Sequence, residues 1–190
     1  LQALKERIDE KFYDEIPTVM FDAWRYQREE HMLLPLLDTV RKTLKGRARH
    51  WRRLSSNLGR LAESFASATS VHSPWGGINF TRFIQAWHKN AARSLYYGWI
   101  SELQAAVAKA RKDTSGQMVE GRRIVVLVDD LDRCLPQRAV EVLESIKVML
   151  DTPGFVFVLA LNDRVVEKAI EQHYGDHMDV SGRDYLKKLI

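Results

Sequence analysis

The chain has 190 residues, 45% apolar and 28% charged, a composition that excludes disorder along its whole length. Its single cysteine excludes a disulfide within the chain and fits a reducing compartment, and no apolar run reaches the roughly 18 residues that span a bilayer. With no leader-like opening either, a cytoplasmic protein is the expectation; the net charge of +4 is too small to demand a nucleic-acid partner.

Leu1, Leu4, Ile8 and Phe12 recur every three to four residues and predict an amphipathic helix that ends before Pro17. The β-prone run Thr18-Val19-Met20-Phe21 predicts a short buried strand leading into Asp22-Ala23-Trp24-Arg25-Tyr26, with Trp24 read as core packing. A helical rhythm of leucines then runs from about Glu29 to Ser67, with a bend or break at Gly46 or Gly59. Residues 67–79 read as a loop. Thr81 reads as the cap of a second long helix, whose apolar face includes Phe83, Trp87, Trp99 and Leu103 and which ends near Lys112. Two such helices packed antiparallel make a hairpin about 50 Å long at about 1.5 Å per residue. Its tryptophans read as core, with a base-stacking platform as the alternative.

The first of these helices holds an uneven share of the charge. Thr39 to Ala62 contains no acid and eight cations, so the rest of the chain is net −4. Arg47, Arg49, Arg52 and Arg53 within it are candidates for binding nucleic acid or another anionic surface; a solvated helix face has the same composition.

After a polar connector over 113–121, Arg123 to Val128 forms an unbroken β-branched strand of the kind buried on both faces of a parallel sheet. Pro136 opens a helix, Pro153-Gly154 makes a turn, and Phe155 to Leu161 is a second such strand. A helix over Arg164–Tyr174 follows, then a break at Ser181-Gly182-Arg183 and a new helical start at Asp184. His173 and His177 have ligand spacing only in an unbroken helix, and Gly175 argues against a zinc site. The whole predicts an α/β fold with a parallel sheet of about three strands, built from residues 1–30 and 122–190, and a helical insertion over 31–121.

The strand Ile124–Val128 delivers Asp129 and Asp130 to its carboxyl end, where open α/β sheets bind ligands. This is a Walker B pattern: Asp129 suits a Mg²⁺ ion and Asp130 suits a base that activates water. A pair of turn aspartates is the other reading. The continuation Asp129-Asp130-Leu131-Asp132-Arg133-Cys134 resembles the KAP family of P-loop NTPases. Phe21-Asp22-Ala23-Trp24-Arg25-Tyr26 is similar to the family's Phe-Asn-Ala-Trp-x-Tyr element, with Asp22 in place of Asn. Phe155 to Asp163 and Gly182 to Ile190 resemble its next strand and its Gly-Arg-x-Tyr-Leu-x-Lys run.

The resemblance implies a P-loop NTPase-like fold, ATP and Mg²⁺ as cofactors, and hydrolysis coupled to a conformational or assembly switch, with roles in signalling or bacterial phage defence. It implies Asn162 as a polar sensor near the γ-phosphate and Asp163 as the neighbouring nucleotide contact. Asp132, Arg133 and Arg164 are its candidates for an arginine finger or a subunit contact, and Cys134 reads as packing. No Gly-x-x-x-x-Gly-Lys-Ser/Thr loop occurs in these residues. The chain therefore resembles a family member that starts after its phosphate loop and stops before the end of its core. Weak or no ATP binding by the chain alone is the expectation, as is an open edge on the strand Phe155–Leu161 that associates with a partner chain, a second copy or the remainder of a longer parent. A non-catalytic scaffold and a nucleic-acid module are the competing functions.

Overall fold

Three apolar, β-branched runs form one parallel sheet in the computed structural model, which describes residues 1–29, 31–69, 91–174 and 181–189. β1 (Thr18–Asp22), β2 (Ile124–Asp129) and β3 (Phe155–Leu159) lie in that order. Thr18 is in register with Val125 and Asp22 with Asp129; Ile124 is in register with Phe155 and Val128 with Leu159. The central strand β2 buries Ile124, Val126, Leu127 and Val128 completely, which is why its sequence does not alternate. β3 forms an edge among the described strands, and Val156 on it is 40% exposed.

The predicted first limb, Glu29–Ser67, is two helices. α2 (Leu33–Lys45) ends at Gly46, and α3 (Arg49–Thr69) starts three residues further on and folds back along it. Ser55 Oγ donates to the Arg41 carbonyl across the pair, at 2.9 Å. Gly59 remains inside α3, so the break falls at Gly46 alone. α4 (Ala91–Ala110) packs on α3, with the Trp99 indole donating to the Leu61 carbonyl at 3.0 Å. Thr81, Phe83, Trp87 and most of the predicted loop lie outside the described residues. Trp51 and Trp99 are buried, as core tryptophans should be. α2 also packs on β1, and its apolar face shares one hydrophobic cluster with the sheet.

A different arrangement from the expected apolar stripe holds α1 (Gln2–Phe12). None of its residues is buried, and Leu4 and Phe12 are largely exposed. Its C-terminal end is instead fixed by polar groups: Arg47 donates to Asp9 Oδ1 at 2.6 Å and to the Tyr13 carbonyl, with its guanidinium 3.7 Å from the Tyr13 ring centre. The Trp51 indole donates to the Asp14 carbonyl at 2.7 Å.

α5 (Pro136–Leu150) starts with proline, whose missing N–H costs nothing at a helix start, and buries most of its length against β3 and α6 (Asp163–Tyr174). α7 (Gly182–Leu189) stacks on α6, capped by Ser181 Oγ, which accepts the Asp184 N–H at 3.2 Å. Gly182 is required by contact: a Cβ there would lie 2.3 Å from the Glu167 carbonyl oxygen. Arg111 ties the end of α4 to the sheet, donating to the carbonyls of Arg122 (3.0 Å) and Pro153 (3.2 Å).

Candidate functional site

All three strands run parallel, so their carboxyl ends form one edge, and the polar residues predicted to act in chemistry gather there. β2 ends at Asp129, and Asp130 follows in the left-handed conformation at φ 55°. A non-glycine residue held there stores strain, of order 1–3 kcal/mol, although Asp tolerates the region better than most. The Asp130 N–H donates to Asp129 Oδ1 at 3.0 Å, which stabilises the sharp turn. The chain then makes a one-turn 3₁₀ helix over Leu131–Arg133, anchored by the fully buried Leu131. Arg133 Nε returns to Asp130 Oδ1 at 3.1 Å in a pair whose arginine is well exposed. An exposed pair of this kind contributes at most about 1 kcal/mol, so its main effect is to orient Asp130.

The register adds a carboxylate that sequence reasoning did not assign to the site. Asp22, at the end of β1, is the direct neighbour of Asp129 across the sheet, and the Ala23 N–H donates to the Asp129 carbonyl at 3.1 Å. Neighbouring strands are about 4.8 Å apart, so the two acidic side chains start from adjacent points on one edge. Asp22 Oδ1 accepts the Arg25 N–H at 3.1 Å and thereby caps the short 3₁₀ turn Trp24–Tyr26. The available signal was the Asp at a strand end where the family pattern has Asn. Trp24 is 50% exposed beside this edge, which corrects its reading as core: the turn that Asp22 caps carries the indole away from the apolar cluster, while Phe21 stays buried and stacks on Tyr26.

Residues from β3 complete the edge. The Ala160 N–H donates to the Val128 carbonyl at 2.9 Å, so the chain beyond β3 leaves alongside Asp129 and Asp130. Asn162 follows, exposed, with its carbonyl accepting the N–H groups of Val165 and Val166 at the start of α6. Asp163 is also exposed, and its Oδ1 accepts the Arg164 N–H at 2.8 Å. Arg164 is exposed and forms no ion pair among the described residues. Asp132 is half-buried on the 3₁₀ turn. Cys134 donates weakly to the Asp130 carbonyl, and burial followed by the charges of Asp22, Asp130 and Asp132 pushes its thiol up to about 11. It is therefore a packed thiol rather than a nucleophile.

Among the described residues no group of three or more His, Cys, Asp and Glu side chains is arranged to hold a metal ion by protein ligands alone. Mg²⁺ at a phosphate site needs only one or two carboxylates, with phosphate oxygens and water supplying the rest. The half-buried Asp129, whose carboxylate accepts among the described residues only the Asp130 N–H, fits such a role.

The predicted anion-binding set does not survive intact. Arg47 is a correction: its side chain is 5% exposed and is engaged by Asp9 and Tyr13, because it lies in the turn after Gly46 and not on the helix face. Arg49, Arg52 and Arg53 are exposed on α3.

The KAP family P-loop domain matches residues 1–190, the entire chain. The chain belongs to the KAP family. The Phage T7 exclusion protein of Escherichia coli (strain K12) is 30% identical over 88 residues, 46% of this chain and 12% of that protein. The Kinase D-interacting substrate of 220 kDa, from Rattus norvegicus and from Homo sapiens, is 25% identical over 92 residues, 47% of this chain and 5% of those proteins. The chain thus spans a small part of the length of these relatives. No solved structure gives a significant match. KAP membership, with the α/β fold, supports nucleotide binding and a nucleotide-hydrolase-type role. Among the described residues no helix is long and apolar enough to cross a membrane.

Proposed function

We propose that the edge formed by Asp22, Asp129, Asp130 and Asn162 is the Walker B and sensor half of a Mg-ATP site, and that hydrolysis there drives a conformational or assembly switch in the protein. The observation that carries this reading is the strained left-handed Asp130 directly after the central parallel strand, four of whose six residues are completely buried. A turn with no chemical task is more cheaply made with glycine at such a position.

In this reading Asp129 holds the ion, directly or through water, and Asp22 adds negative charge one strand away. Bound Mg²⁺ neutralises charge that develops on the phosphates. Asp130 accepts the proton of the attacking water, with Arg133 keeping its carboxylate oriented. The exposed Asn162 amide hydrogen-bonds the water or the terminal phosphate oxygen, and Asp163 contacts the nucleotide beside it. Arg164 and Arg133, with Asp132 beside it, are the groups available to a phosphate or a neighbouring subunit. The names of the relatives favour phage exclusion or a signalling assembly as the setting.

The test is steady-state ATP hydrolysis by the full-length protein, wild type against Asp130→Asn. Removing a general base lowers turnover by about 10²- to 10⁴-fold, and that range is the expected loss. Unchanged turnover would leave the aspartates as a turn-forming device and remove the catalytic reading.

A further inference from the structure

A second polar site lies at the opposite end of the sheet. A groove of about 1170 Å³ runs between α3 and α4 and is closed at one end by the connector over 112–122. Its floor is made by small residues of α4, among them Ala105, Ala106 and Ala108, which leave room where leucines would fill it. Its rim carries Arg49 and Arg53 from α3, Lys109 from α4, and Lys112 and Arg122 from the connector. Asp113 is the acid that lines it, and its Oδ1 is occupied by the loop, accepting from the N–H groups of Ser115 and Gln117 and from the Ser115 hydroxyl. Arg49, Arg53, Lys109 and Lys112 form no ion pair among the described residues. His50 lines the same groove, and its Nε2 is buried without a hydrogen-bond partner. Burial, helped by the charge of Arg122 and opposed by that of Asp14, holds this imidazole below its ordinary value.

On the other flank of α3 a smaller hollow of about 340 Å³ is lined by Arg41, Lys45, Arg52 and Arg60, with Ser55, Ser56 and one acid, Glu63. The helix is therefore a basic ridge with a recess on each side in which cations outnumber acids, five to one in the larger and four to one in the smaller. A single phosphate needs one such recess; two recesses flanking one ridge match a ligand with repeating negative charge.

We propose that this ridge and the α3–α4 groove bind the phosphate backbone of duplex nucleic acid. On the stretches of α3 and α4 whose side chains are described, 49–64 and 98–110, no large apolar side chain is exposed, and Met118 on the connector is the nearest in sequence to the groove. A helix that docks on a membrane presents an apolar face for insertion, so this surface favours a polyanion over a lipid layer. Among the described residues that line the groove there is no Phe, Tyr or Trp to stack unpaired bases, and its cations suit a duplex read through its phosphates. The site is distinct from the acidic edge. Arg122 precedes β2 and Asp129 ends it, so the two are separated by roughly 20 Å of strand at about 3.3 Å per residue. Three of its cations, Lys109, Lys112 and Arg122, lie outside the basic block that the sequence makes conspicuous.

Fluorescence anisotropy with a labelled duplex of random sequence tests the proposal on the full chain. Five phosphate contacts give a slope of log K against log salt of about −4.5, a loss of roughly 500-fold between 50 and 200 mM. Arg49→Gln/Arg53→Gln/Lys109→Gln removes three contacts and lowers the magnitude of that slope by about 2.7. Lys168→Gln/Lys187→Gln/Lys188→Gln, the same charge change on exposed residues elsewhere, leaves the slope as it was. Equal effects of the two triple variants would overturn the site. So would phosphatidylserine vesicles whose binding depends on the groove triple while duplex binding does not, since that result assigns the surface to a membrane. The single variant Arg53→Glu, checked by circular dichroism for unchanged folding, must also weaken duplex binding.

Discussion

Arg47 looks in the sequence like one more cation in a basic block, and the structure makes it a buried strut. Its replacement by alanine removes the 2.6 Å bond to Asp9, the bond to the Tyr13 carbonyl and the stacking on the Tyr13 ring. Breaking a buried ion pair by deleting one partner costs about 3–5 kcal/mol, because the remaining charge stays desolvated. Asp9 keeps Lys5 as a second partner and is 17% exposed, which places the expected loss near the low end, about 3 kcal/mol. For a chain of this size each kcal/mol shifts the melting temperature by about 2–4 °C, so a fall of about 6–12 °C is expected. Thermal unfolding followed by circular dichroism reads it, with Arg49→Ala as the comparison; that exposed change should stay within about 0.5 kcal/mol. The pH dependence gives a second check. Burial opposes ionisation of Asp9, but the hydrogen bonds and charges of Lys5 and Arg47 outweigh it and hold the carboxyl below its ordinary 3.8. A lowered value means the stabilisation is complete above about pH 4 and is lost as the pH falls through the folded-state value. The gap between wild type and Arg47→Ala should thus be steady from pH 5 to 8 and close in acid. Equal melting temperatures for Arg47→Ala and Arg49→Ala would refute the reasoning.

Three other outcomes are expected. Gly182→Ala drives a methyl into the Glu167 carbonyl at 2.3 Å and should cost about 1–3 kcal/mol by thermal unfolding, since the obstacle is backbone. Glu144 is buried on α5 and accepts the Tyr174 hydroxyl at 2.6 Å; burial raises its carboxyl above the ordinary 4.5 against the effect of that bond. The raised value is thus a cost that builds up as the pH rises from the ordinary 4.5 to the folded-state value and is complete above it, so Glu144→Gln should raise the melting temperature at pH 7–8 and give no gain below about pH 4.5. β3 lies at an edge among the described strands and predicts concentration-dependent association, which Val156→Lys should suppress in sedimentation velocity; a wild-type chain monomeric at all concentrations would contradict this.

The sheet was legible because its strands are unbroken apolar runs; burial on both faces accounts for the run in β2, whereas β3, read as equally buried, buries only Phe155 and exposes Val156, because it lies at an edge among the described strands. Asp129 and Asp130 were legible for the same reason: they end such a run. Asp22 was not, since its place beside Asp129 depends on a register between residues far apart in the chain. Arg47 was misread because charge counting is blind to which cation falls in a turn, although Gly46 immediately before it marks one. The α1 stripe has helical spacing, but spacing alone does not supply a surface to cover it; Arg47 and Trp51 hold that helix through its C-terminal end instead. The α3–α4 groove draws cations from two helices and a connector, a convergence visible only after folding.

The central claim is that the carboxyl edge of the sheet binds Mg-ATP through Asp129. The most direct measurement is ATP affinity of the full-length protein with and without Mg²⁺, by isothermal titration calorimetry, for wild type and Asp129→Asn. The account predicts that Mg²⁺ tightens ATP binding to the wild type, and that Asp129→Asn abolishes this gain while leaving metal-free binding intact. The same Mg²⁺-dependent gain in both proteins would contradict it.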